Sequence, residues 1–169
     1  MYLFYRQDLQ KKNIKADLPV GVSLIKTSVH PFVKDMNNMQ VGKRKCLYYR
    51  IFTWLCNPFR RTFLEYNLVK DTKIISKAVL ISKVPLYSFL PQNGLHICYC
   101  ETIPEERGKG LYPLLLNQIQ NDYPQRNLYM VVAENNIPSI KGIEKAGFIK
   151  YGKGIKNNRG VFIVTNVLV

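Results

Sequence analysis

Apolar positions recur along the chain with two spacings, and the alternation between them marks out the elements. "VGVSLIKT" at 20–27 alternates apolar and polar residues, as a strand half buried in a sheet does. At 42–56 the period lengthens: Leu47, Tyr48, Ile51, Phe52, Trp54 and Leu55 share one broad helical face, beside Lys43, Arg44, Lys45 and Arg50. "TFLEYNLV" and "KIISKAVLISKV", joined by "KDT", predict a β-hairpin. "LHICYCETI" at 95–103, rich in aromatic, β-branched and cysteine residues, reads as a buried strand that Pro104 ends. The spacing then predicts a helix from Gly110 to Tyr123, with Pro113 admissible only in its first turn. "NLYMVVA" at 127–133 is a second apolar strand and "IPSIKGIEKA" a short helix. "FIKYGKG" and "GVFIVTNVLV" form a closing hairpin turning at "KNNRG".

This order is that of a mixed α/β (α+β) chain in which most neighbouring strands pair. Its 169 residues, 47% hydrophobic and 21% charged, suit one domain, with a change of character near residue 90 and no internal repeat. "MYLFYRQDLQKKN" turns polar and cationic after five residues, so no secretory leader is expected, and a reducing, cytoplasmic setting follows. "CLYYRIFTWLC" is interrupted by Arg50 and is shorter than the roughly 20 residues of a membrane span. The helix at 42–56 reads as packed on the sheet, with contact to a membrane surface as the alternative.

The cysteines (Cys46, Cys56, Cys98, Cys100) are too few and too irregularly spaced for a disulfide framework. Cys98 and Cys100 would lie about 6.6 Å apart along a strand, an awkward reach for a disulfide. With regular alternation they share a face with His96, but three such ligands cannot converge on one ion, so no metal site is expected. The net charge of +14 predicts anionic partners, without choosing among phosphorylated small molecules, anionic lipid and nucleic acid. No RNA-binding aromatic signature, zinc-finger spacing or helix-turn-helix accompanies the scattered Lys and Arg.

The most specific stretch is "PEERGKGLYPLLLNQ" at 104–118, a glycine-rich turn between a strand and a helix N-terminus. Such a turn presents unpaired amides and the positive end of the helix dipole to an anion. Ile103 and Gly110 stand where a Walker loop needs Gly and Ser or Thr, and Pro113 stands where a dinucleotide fingerprint needs its third glycine. What Arg107-Gly108-Lys109-Gly110-Leu111-Tyr112 resembles is the acetyl-CoA loop of the GNAT N-acetyltransferases, with Tyr112 in place of the usual small last residue. "AENNIPSIKGIEKAGF" resembles the family's second cofactor region through Asn136, Ser139, Gly147 and Phe148. The likeness runs over residues 62–168.

The resemblance implies a GNAT-like fold, a central mixed and mostly antiparallel sheet splayed at the cofactor site and flanked by helices. Residues 1–90 would form the variable acceptor-side half and 91–169 the acetyl-CoA-binding half. It implies pyrophosphate on the amides of Arg107 to Tyr112 and pantetheine along the main chain of Cys100 and Thr102, with the Cys100 N–H toward the thioester oxygen. It further implies a base, for which His96 and Glu101 are the candidates; Glu101 would reach the cleft only if a bulge turned the strand. Ile143 replaces the tyrosine that usually protonates the leaving thiolate. Tyr112 and Tyr151 are possible substitutes in type alone, so no acid is assigned. The implied reaction is direct acetyl transfer to a primary amine, and the wording "RGKGLYPLLL" is associated with amino-sugar acceptors. A non-catalytic CoA-binding protein and a basic nucleic-acid binder are the competing classes. A homodimer through exposed sheet edges is compatible with all three.

Overall fold

The computed structural model describes residues 1–9, 16–28, 63–83 and 87–168. The helix expected at 42–56 lies outside these residues. The strands are β1 (Tyr2–Gln7), β2 (Val22–Ser28), β3 (Phe63–Lys70), β4 (Lys73–Ser82), β5 (Leu95–Thr102), β6 (Leu128–Ala133), β7 (Phe148–Lys156) and β8 (Phe162–Val167). Helix α1 (Leu111–Asp122) links β5 to β6, and α2 (Ile137–Lys145) links β6 to β7. The strands form one sheet in the order β2-β3-β4-β5-β6-β1-β7-β8. Every neighbouring pair is antiparallel except β5 and β6.

The predicted strands, and the two predicted helices that fall within the described residues, are present within a few residues of their expected ends. Asp71 and Thr72, the two central residues of the β3–β4 turn, have positive φ (47° and 66°), the backbone that lets a two-residue turn follow the strands' twist. In the last hairpin, Asn157 Oδ1 accepts from the amides of Arg159 and Val161, and Gly160 takes the left-handed position.

Strand β1 is the element that the sequence reading did not assign. It lies between β6 and β7 with Leu3, Phe4, Tyr5 and Gln7 buried, so it is covered on both faces. A doubly covered strand shows a continuous apolar run rather than alternation, and "YLFY" is that run.

Leu111, Leu115, Leu116 and Ile119 of α1 are buried in the main core, with Leu68, Leu80, Ile97 and Met130 from the sheet. Each side chain of this size contributes roughly 1.5–3 kcal/mol when taken from water. Polar ties fix the two helices on the sheet. Tyr66 Oη donates to Asp122 (2.7 Å), Tyr5 Oη donates to Glu144 (2.8 Å), and Gln120 Nε2 donates to the Ala146 carbonyl (2.9 Å). A second, aromatic cluster on Val79, Ile81, Tyr87 and Leu90 includes Cys98, Tyr129 and Phe162. Among the described residues no helix is long and apolar enough to cross a membrane.

Candidate active site

The parallel pairing of β5 with β6 is confined to Leu95–Leu128 and His96–Tyr129. Beyond His96 the two strands part, leaving the β6-facing edge of β5 without a strand partner. Backbone donors and acceptors on such an edge are available to an extended ligand.

In the same stretch β5 carries a bulge. Cys98 pairs with Val79 and Glu101 with Lys77, so three steps on β5 match two on β4. Tyr99 absorbs the extra residue with φ of 50°, a left-handed value uncommon outside glycine. The bulge corrects the expectation from simple alternation that His96, Cys98 and Cys100 share a face. Cys100 packs with the α1-side core, whereas Cys98 belongs to the aromatic cluster opposite. The bulge turns Glu101 onto the face of Cys98, and its carboxylate lies 3.1 Å from Lys77 Nζ.

After β5, one 3-10 turn (Pro104–Glu106) leads into the loop. Gly108 and Gly110 take φ of 78° and 77°, and a Cβ on either would meet nothing within 4 Å. Backbone conformation, not crowding, therefore demands glycine at these two places. Arg107 Nε donates to the Thr102 carbonyl (3.0 Å), pinning the loop to the end of β5. The first helical bond of α1 runs from the Leu114 amide to the Gly110 carbonyl, and no side chain caps the helix. The amides of Gly108, Lys109, Gly110, Leu111 and Tyr112 have no acceptor among the described residues. Pro113 brings no N–H to the third helical position, so the row of free donors ends at Tyr112.

A cavity of about 610 Å³ opens between this loop, the outer half of β5 and the first turns of α2. It brings together Cys100, Glu101, Thr102, Arg107, Gly108, Gly110, Leu111, Tyr112, Asn136 and Ser139. The Asn136 side chain caps α2 by accepting from the Ser139 amide (3.3 Å). Lys141, Gly142 and Lys145 of α2 also line the cavity and were not singled out from the sequence. Their signal was the i, i+4 spacing of the lysines on one face and a glycine within the helix.

Two expected site residues lie differently. The Lys109 side chain turns to Glu106 (2.9 Å), and its ammonium holds the Glu106 carboxyl below the ordinary carboxylate value, so Lys109 faces the loop through its amide alone. The structure does not bring His96 to the cavity. Its ring is 3% exposed and packs edge-on against Tyr87 (4.4 Å) and Phe89 (5.4 Å). Neither ring nitrogen has a hydrogen-bond partner among the described residues, and burial lowers its pKa to about 3. A ring so reluctant to take a proton is a weak base.

Cys98 and Cys100 are free thiols. Burial is the main cause that pushes Cys100 up to about 12 and raises Cys98 well above its ordinary value. Both are protonated near neutrality, which removes the thiolate a covalent acyl-cysteine would require. No cluster of metal-binding side chains occurs among the described residues.

Solved structures share this architecture. A tandem GNAT protein from the clavulanic acid biosynthesis pathway superposes with a TM-score of 0.60 at 16% identity, over 89% of this chain and 50% of its own. A GNAT acetyltransferase from Colwellia psychrerythraea gives 0.56 at 13% identity, over 88% of this chain and 52% of its own. An IAA acetyltransferase from Bacillus cereus gives 0.52 at 14% identity, over 84% and 94%. The chain thus spans about half the length of the first two. No curated protein matches the sequence. The sequence profile of the acetyltransferase (GNAT) family matches residues 32–148, from before β3 to the start of β7 and across the whole cleft. With the bulged and splayed strand, the open amide loop and the capped second helix in that order, the chain belongs to the GNAT acetyltransferase family.

Proposed function

We propose that the protein transfers an acetyl group from acetyl-CoA to a primary amine, by direct attack of the amine while both substrates are bound. The observation that carries this reading is the joining of two unsatisfied backbone surfaces in one cavity: the amides of Gly108 to Tyr112 and the unpaired edge of β5. The first suits a pyrophosphate, because a run of N–H groups without acceptors lies at the positive end of the α1 dipole. The second suits an amide-containing arm that hydrogen-bonds as a strand would.

The residues divide the chemistry as follows. The loop amides hold the pyrophosphate, with Arg107 keeping the loop against β5. Main-chain groups of Cys100 and Thr102 align the pantetheine, and the Cys100 N–H stabilises charge developing on the thioester oxygen. Glu101 accepts the proton that the amine must lose, because it is the titratable carboxylate residue of β5 beside the cavity and His96 lies outside it. Lys77 holds that carboxylate in place.

The cationic surroundings of the cavity, Arg107, Lys141 and Lys145, favour an acceptor that carries negative charge, and a nucleotide-linked or diphosphate-linked amino sugar meets that condition. Polyamines would be repelled. The test is release of free thiol from acetyl-CoA across a panel of amines, with Gly110→Asp as control. Turnover with one anionic amino sugar and none with polyamines supports the reading; equal rates with all amines, or none with any, would refute it.

A further inference from the structure

Tyr112 is the second residue of α1, and its ring crosses from that helix to α2. A Cβ on Gly142 would stand 2.4 Å from Tyr112 Cδ1 and 2.7 Å from Cε1, so any larger residue would displace the ring. Gly142 sits inside a helix, without the positive φ that would otherwise call for glycine. Glycine there costs about 1 kcal/mol relative to alanine, and the ring contact supplies the reason for accepting that cost. The hydroxyl lies 3.3 Å from Ser139 Oγ and beside the Cys100 thiol. Three elements therefore meet at one phenol: the bulge of β5, the first turn of α1 and the first turn of α2. Tyr112 lines the cavity, its amide has no acceptor among the described residues, and its hydroxyl lies beside two further lining residues, Ser139 and Cys100.

Tyr151, the other tyrosine considered from the sequence, is placed elsewhere. Its ring packs on Tyr129 (5.8 Å) and Phe4 (6.3 Å), and it does not line the cavity.

We propose that the Tyr112 hydroxyl donates the proton that the departing thiolate takes up, with Ser139 and Gly142 as its positioning residues. The inference rests on the acyl-transfer reading. As the C–N bond forms and the C–S bond breaks, the C–S electron pair leaves on sulfur and takes the phenol's proton. Ser139 Oγ–H donates to the phenol oxygen while it carries charge. Tyr112 regains a proton from solvent, and the amine's proton leaves through Glu101. The sum is one proton moved from amine to thiol, with no redox change. Burial, the first cause, and the neighbouring Cys100 both raise the Tyr112 hydroxyl well above its ordinary value, so the proton is present throughout the neutral range.

The test compares the full chain with Tyr112→Phe, using acetyl-CoA and the acetyl selenoester of CoA, whose selenolate leaves without protonation. With acetyl-CoA, Tyr112→Phe is expected to lower kcat about 100-fold, the ordinary scale of acid catalysis, while calorimetric affinity changes less than about twofold. With the selenoester the loss should shrink to about threefold or less, because the leaving group no longer needs the acid. Gly142→Ala, which pushes the ring aside, should reproduce the thioester loss and guards against a folding defect in one variant. An equal loss on both esters would overturn the proposal. So would an unchanged kcat in Tyr112→Phe with tighter acetyl-CoA binding in Tyr112→Gly, which would make the ring an obstruction. If the wild type binds acetyl-CoA but releases no thiol with any amine, acyl transfer itself fails and the proposal falls with it.

Discussion

Upstream of the Tyr99 bulge, His96 and Cys98 face a wall of aromatic rings; downstream, Cys100, Glu101 and Thr102 face an open cleft. The residue types on the two sides are similar, each with a cysteine and a titratable partner, yet only one side can meet a substrate. What separates them is strand pairing. Where β5 still pairs with β6, its side chains are sealed into the core, and where the strands part, backbone and side chains are exposed together. The bulge then sets the faces of the residues beside the opening, putting Glu101 on one and Cys100 on the other.

Three substitutions can break or sharpen this contrast. The largest effect is expected at Glu101: Glu101→Gln keeps the shape of the side chain but removes the base, and should lower turnover about 10²- to 10⁴-fold with acetyl-CoA affinity intact. Stopped-flow thiol release checks it, and a loss below about threefold would take Glu101 out of the reaction. Next, Gly110→Asp sets a carboxylate among the loop amides and should weaken acetyl-CoA binding about 100-fold by calorimetry. Its unfolding midpoint should fall by only a few degrees, the cost of roughly 1 kcal/mol that a left-handed backbone imposes on a residue other than glycine. Undiminished affinity would move the cofactor elsewhere.

The smallest effect is expected on the closed side, at His96. Its folded pKa of about 3 lies below the ordinary 6.5, so the unfolded chain binds a proton that the folded chain refuses. Stability from this source is complete above about pH 6.5 and falls as pH drops toward 3, by at most about 1.4 kcal/mol per pH unit. His96→Leu should remove that acid-side slope and leave turnover within about threefold, and urea melts from pH 4 to 7 with matched rates provide the measurement. A hundredfold rate loss would return His96 to the chemistry.

These contrasts also explain what was legible in the sequence. The cradle was readable because glycine, proline and a helical apolar period are local signals: Gly108, Gly110, Pro113 and the leucines of α1 each fix their own backbone. The bulge was not, because Tyr99 adopts its left-handed backbone under pairing by β4, and nothing in the residue itself announces it. Alternation gave His96 a face but could not show that Tyr87 and Phe89, from the segment between β4 and β5, cover it. Tyr112 read only as a departure from the usual small residue because its distant partner Gly142 is visible only in the fold, where the ring swings onto α2 and leaves the loop glycines open. Strand β1 was missed because its short apolar run was weighed only as a possible leader.

The central claim, that the cleft between β5 and α2 holds an acyl-CoA, is tested most directly by calorimetric titration of the full chain with acetyl-CoA, with Gly110→Asp alongside. The account predicts saturable binding of one acetyl-CoA per chain, competed by pyrophosphate and lost in the variant. No heat at millimolar acetyl-CoA, or equal binding by Gly110→Asp, would contradict it.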